Sequence, residues 1–178
     1  MLDIFSQVAT LIFIYMSVLF LIAMLKKDNG IIDIAWGIGF ILVAWLCYDL
    51  TQEVSARKLL INFMVTIWGS RLAIYLFLRN KGKEEDFRYK NWRRDWGNTF
   101  VWRSFLQVFM LQGFFMFVVS LPVILTNFSS SPTLHGPDFL ALFLFIFGFY
   151  FESVSDYQLY QFKQNLSLIH ISEPTRLR

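Results

Sequence analysis

The chain predicts an all-α fold, a polytopic transmembrane bundle of five helices with its N-terminus outside. Three observations predict it. Of its 178 residues, 56% are apolar and only 16% charged, where a soluble domain carries about 25% charged residues. The apolar residues fall into runs of about 20, each long enough to cross a bilayer core about 30 Å thick. The basic residues lie almost entirely in alternate loops between those runs, the asymmetry expected of a multi-pass protein. An ordinary soluble globular domain and a disordered chain are both excluded.

The first span, about 4–25, lacks a basic leading region and is too long for a signal peptide. Lys26 and Lys27 follow it rather than a small-residue cleavage site, so it is read as a retained helix. The others are about 31–50, 59–79, 100–125 and 138–160, all long enough to cross with some tilt. Pro122 falls near the end of the fourth, where a terminal kink is tolerated. If all five cross, one side collects Lys26, Lys27, Arg79, Lys81, Lys83, Arg88, Lys90, Arg93, Arg94 and Lys163, and the other only Arg57 and Lys58. That places the 80–99 loop in the cytoplasm. A glycosylation sequon, Asn127-Phe128-Ser129, falls outside. The expected setting is a bacterial inner membrane or a eukaryotic endoplasmic reticulum, with no internal repeat.

Counts narrow the chemistry. A single cysteine, Cys47, excludes an intrachain disulfide or thiolate cluster. The two histidines, His135 and His170, are too few for a di-iron, haem or zinc-protease site, so no metal is expected. After Asn165 the sequence changes character. The segment Ser167 to Arg178 has neither amphipathicity nor span hydrophobicity, and it resembles the translation of sequencing-adapter read-through. Residues 166–178 are therefore expected to be a non-native tail, with 1–165 a C-terminally truncated membrane domain.

Polar residues inside the spans need a reason, since an ionisable side chain at mid-membrane costs about 2.5–3.5 kcal/mol on insertion scales. Asp33, Trp36, Gly37 and Phe40 share one face of span two; Asp33 is open to two readings, an N-cap carboxylate or a functional acid. On span three Arg71, Tyr75 and Arg79 are spaced i, i+4, i+8. Arg79 can snorkel to the interface, but Arg71 lies about 12 Å deeper and calls for an anion, ligand or carboxylate. Span four opens with Trp102 and Arg103 and carries Gln107 and Gln112, read as interhelical hydrogen-bonding groups. On span five Glu152, Asp156, Leu159 and Lys163 lie on one face, where two bare carboxylates would repel and need a cation, a donor-rich ligand or a shared proton. Asp33, Arg71, Arg103, Gln107, Glu152 and Asp156 all fall in the cytoplasmic half. Packing glue would be scattered in depth, so this convergence suggests a polar cavity open to the cytosol. The 80–99 loop has six basic against four acidic residues. That balance fits an interfacial helix anchored by Trp92 and Trp96 better than nucleic-acid binding.

Four motifs in order carry a resemblance. Asn29-Gly-x-x-Asp33-x-x-Trp36-Gly37, Trp68-Gly-x-Arg71-Leu72, Glu85-Asp86-x-Arg88-Tyr89 and Glu152-x-x-x-Asp156-x-Gln158-Leu159 are similar to an uncharacterised membrane family related to the steroid 5-alpha-reductase C-terminal domain. The likeness covers most of residues 20–165. It implies NADPH-dependent reduction of an activated C=C bond in a hydrophobic, lipid or steroid-like substrate drawn from the bilayer. By position, Asp156 matches a cofactor-contacting aspartate, Glu152 a neighbouring polar position and Lys163 a basic cofactor contact. Arg71, Tyr75 and Arg79 resemble an Arg-x-x-x-Tyr helix. The tyrosine of the animal reductases aligns with Trp68, which cannot donate a proton as a phenol can, so either Tyr75 is the proton donor or this branch does different chemistry. Asp33, Trp36, Trp68 and Gln107 are the expected substrate-pocket residues, and Glu152, Asp156, Lys163, Arg71 and Arg79 the cofactor-binding ones. The family's C-terminal Arg-x-x-Arg-His-Pro-x-Tyr-type segment is missing, so the chain as written is expected to be inactive. Two other classes stay open: a membrane methyltransferase using S-adenosylmethionine, and a non-enzymatic protein in which the polar cluster is glue.

Overall fold

A computed structural model describes residues 2–51, 53–129 and 133–172, the stretch 166–172 as backbone alone. The described residues are helical, with no strand among them, and five helices are long and apolar enough to cross a membrane. The protein is a multi-pass integral membrane protein. Its helices are α1 (Leu2–Lys26), α2 (Ile31–Thr51), α3 (Ala56–Asn80), α4 (Phe87–Trp96), α5 (Phe100–Arg103), α6 (Leu111–Asn127) and α7 (Gly136–Ser172). A π-helical stretch, Ser104–Met110, joins α5 to α6, so the fourth crossing is one continuous helix with a wide turn near its start. Two compact units result, residues 1–133 and 134–178.

Local chemistry sets the ends. Lys27 adopts the left-handed conformation (φ 55°), and the Asp28 N–H returns to the Ala23 carbonyl at 3.0 Å, closing α1. Ser55 starts α3 as an N-cap, its hydroxyl accepting from the Lys58 N–H at 3.2 Å. Asp86 does the same for α4, accepting from the Arg88 N–H at 2.9 Å.

The first unit is built on small residues. A Cβ at Gly37 would strike the Gly69 carbonyl oxygen, and one at Gly69 the Gly37 carbonyl, so α2 and α3 touch backbone to backbone through two Trp-Gly dipeptides. A Cβ at Gly113 would lie 3.1 Å from the Met16 side chain and 3.2 Å from that of Ile12, so there α6 seats its backbone on side chains of α1. Around these contacts Met16, Ile32, Phe109 and Met116 are fully buried. Phe20 of α1 meets Phe105 and Phe109 edge-on at 5.1 and 5.5 Å. Tyr15 donates its hydroxyl to the Ala35 carbonyl at 2.6 Å, tying α1 to α2.

At the end of the bundle holding Thr51, Ala56 and Asn127 runs a polar ladder that the sequence analysis did not pick out. Lys58, Asn62 and Thr66 share one face of α3. Asn62 Nδ2 donates to Asn127 Oδ1 at 2.8 Å, and Trp45 Nε1 donates to Thr66 Oγ1 at 2.9 Å. Lys58 is only 3% exposed, its ammonium turned to the Glu53 carbonyl oxygen and carboxylate at 3.4 and 3.6 Å. Asn127 is completely buried, so the amide that the sequon offers is already spent on an interhelical pair. Packing glue thus exists at this end too. The interhelical bonds assigned to Gln107 and Gln112 are made instead by these groups, and Gln107 is exposed.

The second unit is the single long helix α7. Asp138 accepts from the His135 N–H at 2.7 Å at its start. Phe143, Phe147 and Phe151 follow one another as ring neighbours at 6.4 and 4.6 Å. The helix runs to Ser172, beyond the expected end near 160 and into the segment expected to be non-native; residues 173–178 of that tail lie outside the described residues.

Gly37→Val forces two methyls against the Gly69 carbonyl and is expected to cost about 1–3 kcal/mol, read as a lowered midpoint in detergent unfolding. In a double-mutant cycle, Asn62→Ala and Asn127→Ala should show a coupling of about 0.6–1.7 kcal/mol.

Candidate functional site

The opposite end of the first unit, where α1 and α3 finish and α2 and α5 begin, gathers the charged groups. The chain turns from α1 into α2 at Asn29-Gly30. Asp28 Oδ1 accepts from the Gly30 N–H at 2.8 Å, and the Ile32 and Asp33 N–H groups return to the Asn29 and Gly30 carbonyls at 3.2 Å. Asp33 is therefore the third residue of α2, not its cap. Its carboxylate is left for another element.

That element is the 81–99 strap. Tyr89 of α4, 3% exposed, donates its hydroxyl to Asp33 Oδ1 at 3.1 Å, and Arg88 lies 3.5 Å from Asp33 Oδ2. Glu85, just before α4, accepts from the Asn29 backbone N–H at 2.9 Å, and Arg93 grips the same carboxylate through two nitrogens at 2.8 and 3.2 Å. Asn29, fully buried, donates its side-chain amide to Ser104 Oγ at 2.8 Å where the π-helical stretch begins. Two motifs more than fifty residues apart thus meet as one clasp. The expected helix with Trp92 and Trp96 is there as α4. Its Tyr89, Trp92 and Trp96 form a ladder of rings that continues to Phe100 of α5, with Trp92 and Trp96 stacked at 5.2 Å. Arg93 sits 4.2 Å over the Phe100 ring.

α4 lies outside the spanning lengths, and its charges respond to this pairing. Side-chain hydrogen bonds from Arg88 hold the Asp86 carboxyl below the usual carboxylate range, and the Lys90 ammonium does the same for Glu84. Burial, then the Asp33 charge, raises the Tyr89 phenol, so it stays a protonated donor at neutral pH.

Besides Asp33, the expected site residues fall in four places. Trp36 and Trp68 flank the Gly37–Gly69 contact and are joined through Phe40, edge-on to Trp36 at 5.2 Å and to Trp68 at 5.6 Å. The Trp36 indole nitrogen is buried and has no hydrogen-bond partner among the described residues, as does the Asn29 side-chain oxygen. On α3 the Arg71 and Arg79 guanidinium carbons lie 5.4 and 5.7 Å from the Tyr75 ring centre, so the predicted face is a cation–phenol–cation stack. Gln107 lies in the π-helical stretch. In the second unit, Glu152, Asp156 and Lys163 lie along α7 at the spacing read from sequence. Asn29, Glu85, Tyr89, Arg93 and Ser104 were not assigned site roles. For Asn29, Glu85 and Tyr89 the signal was the two motifs themselves, in which each of Asn29, Asp33, Glu85, Asp86, Arg88 and Tyr89 now has a partner; Arg93 and Ser104 lie outside both motifs.

Glu85→Gln removes the charge held by Arg93 and weakens the bond to the Asn29 N–H. The expected result is strap amides that exchange hydrogen about tenfold faster or more at neutral pH. The acid dependence follows from the lowered carboxyls. Their contribution is complete above the unfolded values of about 3.9–4.3 and is lost as pH falls through the lower folded ones. Exchange in wild-type α4, corrected for intrinsic rate, should therefore accelerate as pH falls below about 4.

A protein-family profile described as "Protein of unknown function (DUF1295)" matches residues 19–169. No curated protein and no solved structure matches the chain. The matched stretch takes in the clasp, both Trp-Gly dipeptides, the Arg71–Tyr75–Arg79 stack and the acidic face of α7. The chain belongs to DUF1295, a membrane family whose function is unknown.

Proposed function

We propose that the chain is a membrane oxidoreductase that uses NADPH to reduce an activated C=C bond in a lipid or steroid-like substrate. The observation that carries this reading is the α3 face, a phenol with two guanidinium groups within 5.4 and 5.7 Å of its ring centre on a membrane helix. A dinucleotide needs cations for its phosphates and acceptors for its amide and hydroxyl groups. Each unit by itself carries groups of these kinds: on α3, Arg71 and Arg79 are cations; on α7, Glu152 and Asp156, one helical turn apart, are acceptors, with Lys163 a further cation. A bound NADPH would supply the hydride.

The residues of the chain do the rest. Tyr75 donates its hydroxyl hydrogen toward the substrate carbonyl, so that charge developing on that oxygen is stabilised as the β-carbon is reduced. Trp36, Phe40 and Trp68 make an apolar wall suited to a lipid, and the unpartnered Trp36 N–H supports a ligand with an acceptor oxygen. Asp33, committed to Tyr89 and Arg88, sets the position of the strap rather than touching the substrate. Gln107, exposed, is a polar group beside the same helix bundle.

The test is a titration of the detergent-solubilised chain with NADPH, read by energy transfer from tryptophan to the nicotinamide. Saturable binding is expected, weakened about tenfold or more by Arg71→Gln or Asp156→Asn. Tyr75→Phe should bind within about twofold of wild type, since it alters the proton donor and not a phosphate contact. No saturation with NADPH would end this reading. Binding of S-adenosylmethionine in its place would move the chain to the methyltransferase class.

A further inference from the structure

We propose that the strap-bearing face binds anionic phospholipid headgroups at two lysine pairs, Lys26–Lys27 at the end of α1 and Lys81–Lys83 in the turn after α3. The strap uses up its own acids. Glu84 pairs with Lys90 at 2.6 Å, Glu85 with Arg93 at 2.8 Å, Asp86 with Arg88 at 3.0 Å and Asp95 with Arg94 at 3.1 Å. Asp28, next to the first pair, turns one carboxylate oxygen to the Gly30 N–H. The positive charge of this face that no acid offsets is thereby left to the four lysines together with Arg79 and Arg103. All are exposed, and none has a carboxylate partner among the described residues.

What lies beneath each pair makes it a lipid surface rather than a solvated charge. Below Lys26 and Lys27, α1 exposes Leu25, Leu21 and Val18; below Lys81 and Lys83, α3 exposes Leu78, Phe77 and Ile74. In a bilayer these stripes face acyl chains. An ammonium pair one or two turns above such a stripe matches a phospholipid, with the phosphate at the lysines and the chains along the helix. Each pair also sits at a helix C-terminus, whose partial negative charge holds lysines at the interface. Gly82, in the left-handed region at φ 75°, and the Lys83 N–H bonded to the Asn80 carbonyl at 3.0 Å, shape the second turn. The complementary partner is a headgroup with net negative charge, such as phosphatidylglycerol, because a zwitterionic headgroup gains little net attraction from an ammonium pair.

The experiment is native mass spectrometry of the full chain in detergent, titrated with phosphatidylglycerol or with phosphatidylcholine of the same acyl chains. Wild type should retain the anionic lipid about tenfold better, and the preference should shrink when lipid is loaded at high salt. Lys26→Gln/Lys27→Gln and Lys81→Gln/Lys83→Gln should each reduce it several-fold. Lys90→Gln, whose ammonium is engaged by Glu84, should leave it unchanged. Equal retention of the two lipids, pair variants that keep the full preference, or a Lys90→Gln loss as large as theirs would each overturn the proposal. Should a pair variant fail to fold by circular dichroism, a wild-type preference indifferent to salt would overturn it equally.

Discussion

The contact between the Gly37 and Gly69 backbones is the constraint on which the first unit turns. With no side chain on either glycine, α2 and α3 approach until each presses on the carbonyl of the other. Everything along the two helices is then fixed in height. Trp36 and Trp68 are set on either side of Phe40, Trp45 reaches Thr66, and the Arg71–Tyr75–Arg79 face emerges toward the end where Asp33 begins α2. Hydrocarbon offers helices no hydrophobic drive to associate, so close packing and interhelical hydrogen bonds must supply the cohesion. This pair uses both.

The two ends of the unit solve the polar-group problem differently. At the Asn127 end the groups are mostly neutral and satisfy one another, leaving Lys58 to reach outward to Glu53. At the strap end they are charged and cross-linked between elements. Asn29 joins the start of α2, the strap and the fourth crossing through three bonds, one donated by its backbone N–H to Glu85, one donated by its side-chain amide to Ser104 and one accepted by its carbonyl from the Ile32 N–H. The Glu85–Arg93 pair is bidentate and part-buried, with Glu85 the more sheltered half, so removing Arg93 would leave a carboxylate with little access to water.

Much of this was legible in the sequence, and the parts that were not have physical reasons. Span positions follow from apolar length alone, so the five crossings differ from expectation by a few residues at most, except that α7 continues to Ser172. The Arg71–Tyr75–Arg79 face follows from helical spacing and is observed as a stack. Pairings between distant segments are another matter. Nothing local tells Glu85 that its partner is the Asn29 N–H, or Asn62 that Asn127 lies opposite, because these bonds depend on the relative register of helices. Asp33 was balanced between cap and functional acid; the turn at Asp28–Gly30 decides against the cap, since it starts the helix three residues earlier. Neutral asparagines attracted no attention because an amide in a span costs far less than a charge.

The π-helical stretch from Ser104 to Met110 gives the fourth crossing two phases. Each residue in a π-turn rotates the chain less than in an α-helix, so seven of them offset the two ends by about 100°, one residue's worth of rotation. Before the stretch, the phase is locked by Ser104 against Asn29; beyond it, by Gly113 against Met16 and Asn127 against Asn62. A uniform α-helix through the same sequence could honour one set of contacts but not the other. The wide turn is thus the gearing between the two ends, letting a single helix obey a charged clasp on one side of the membrane and a neutral ladder on the other.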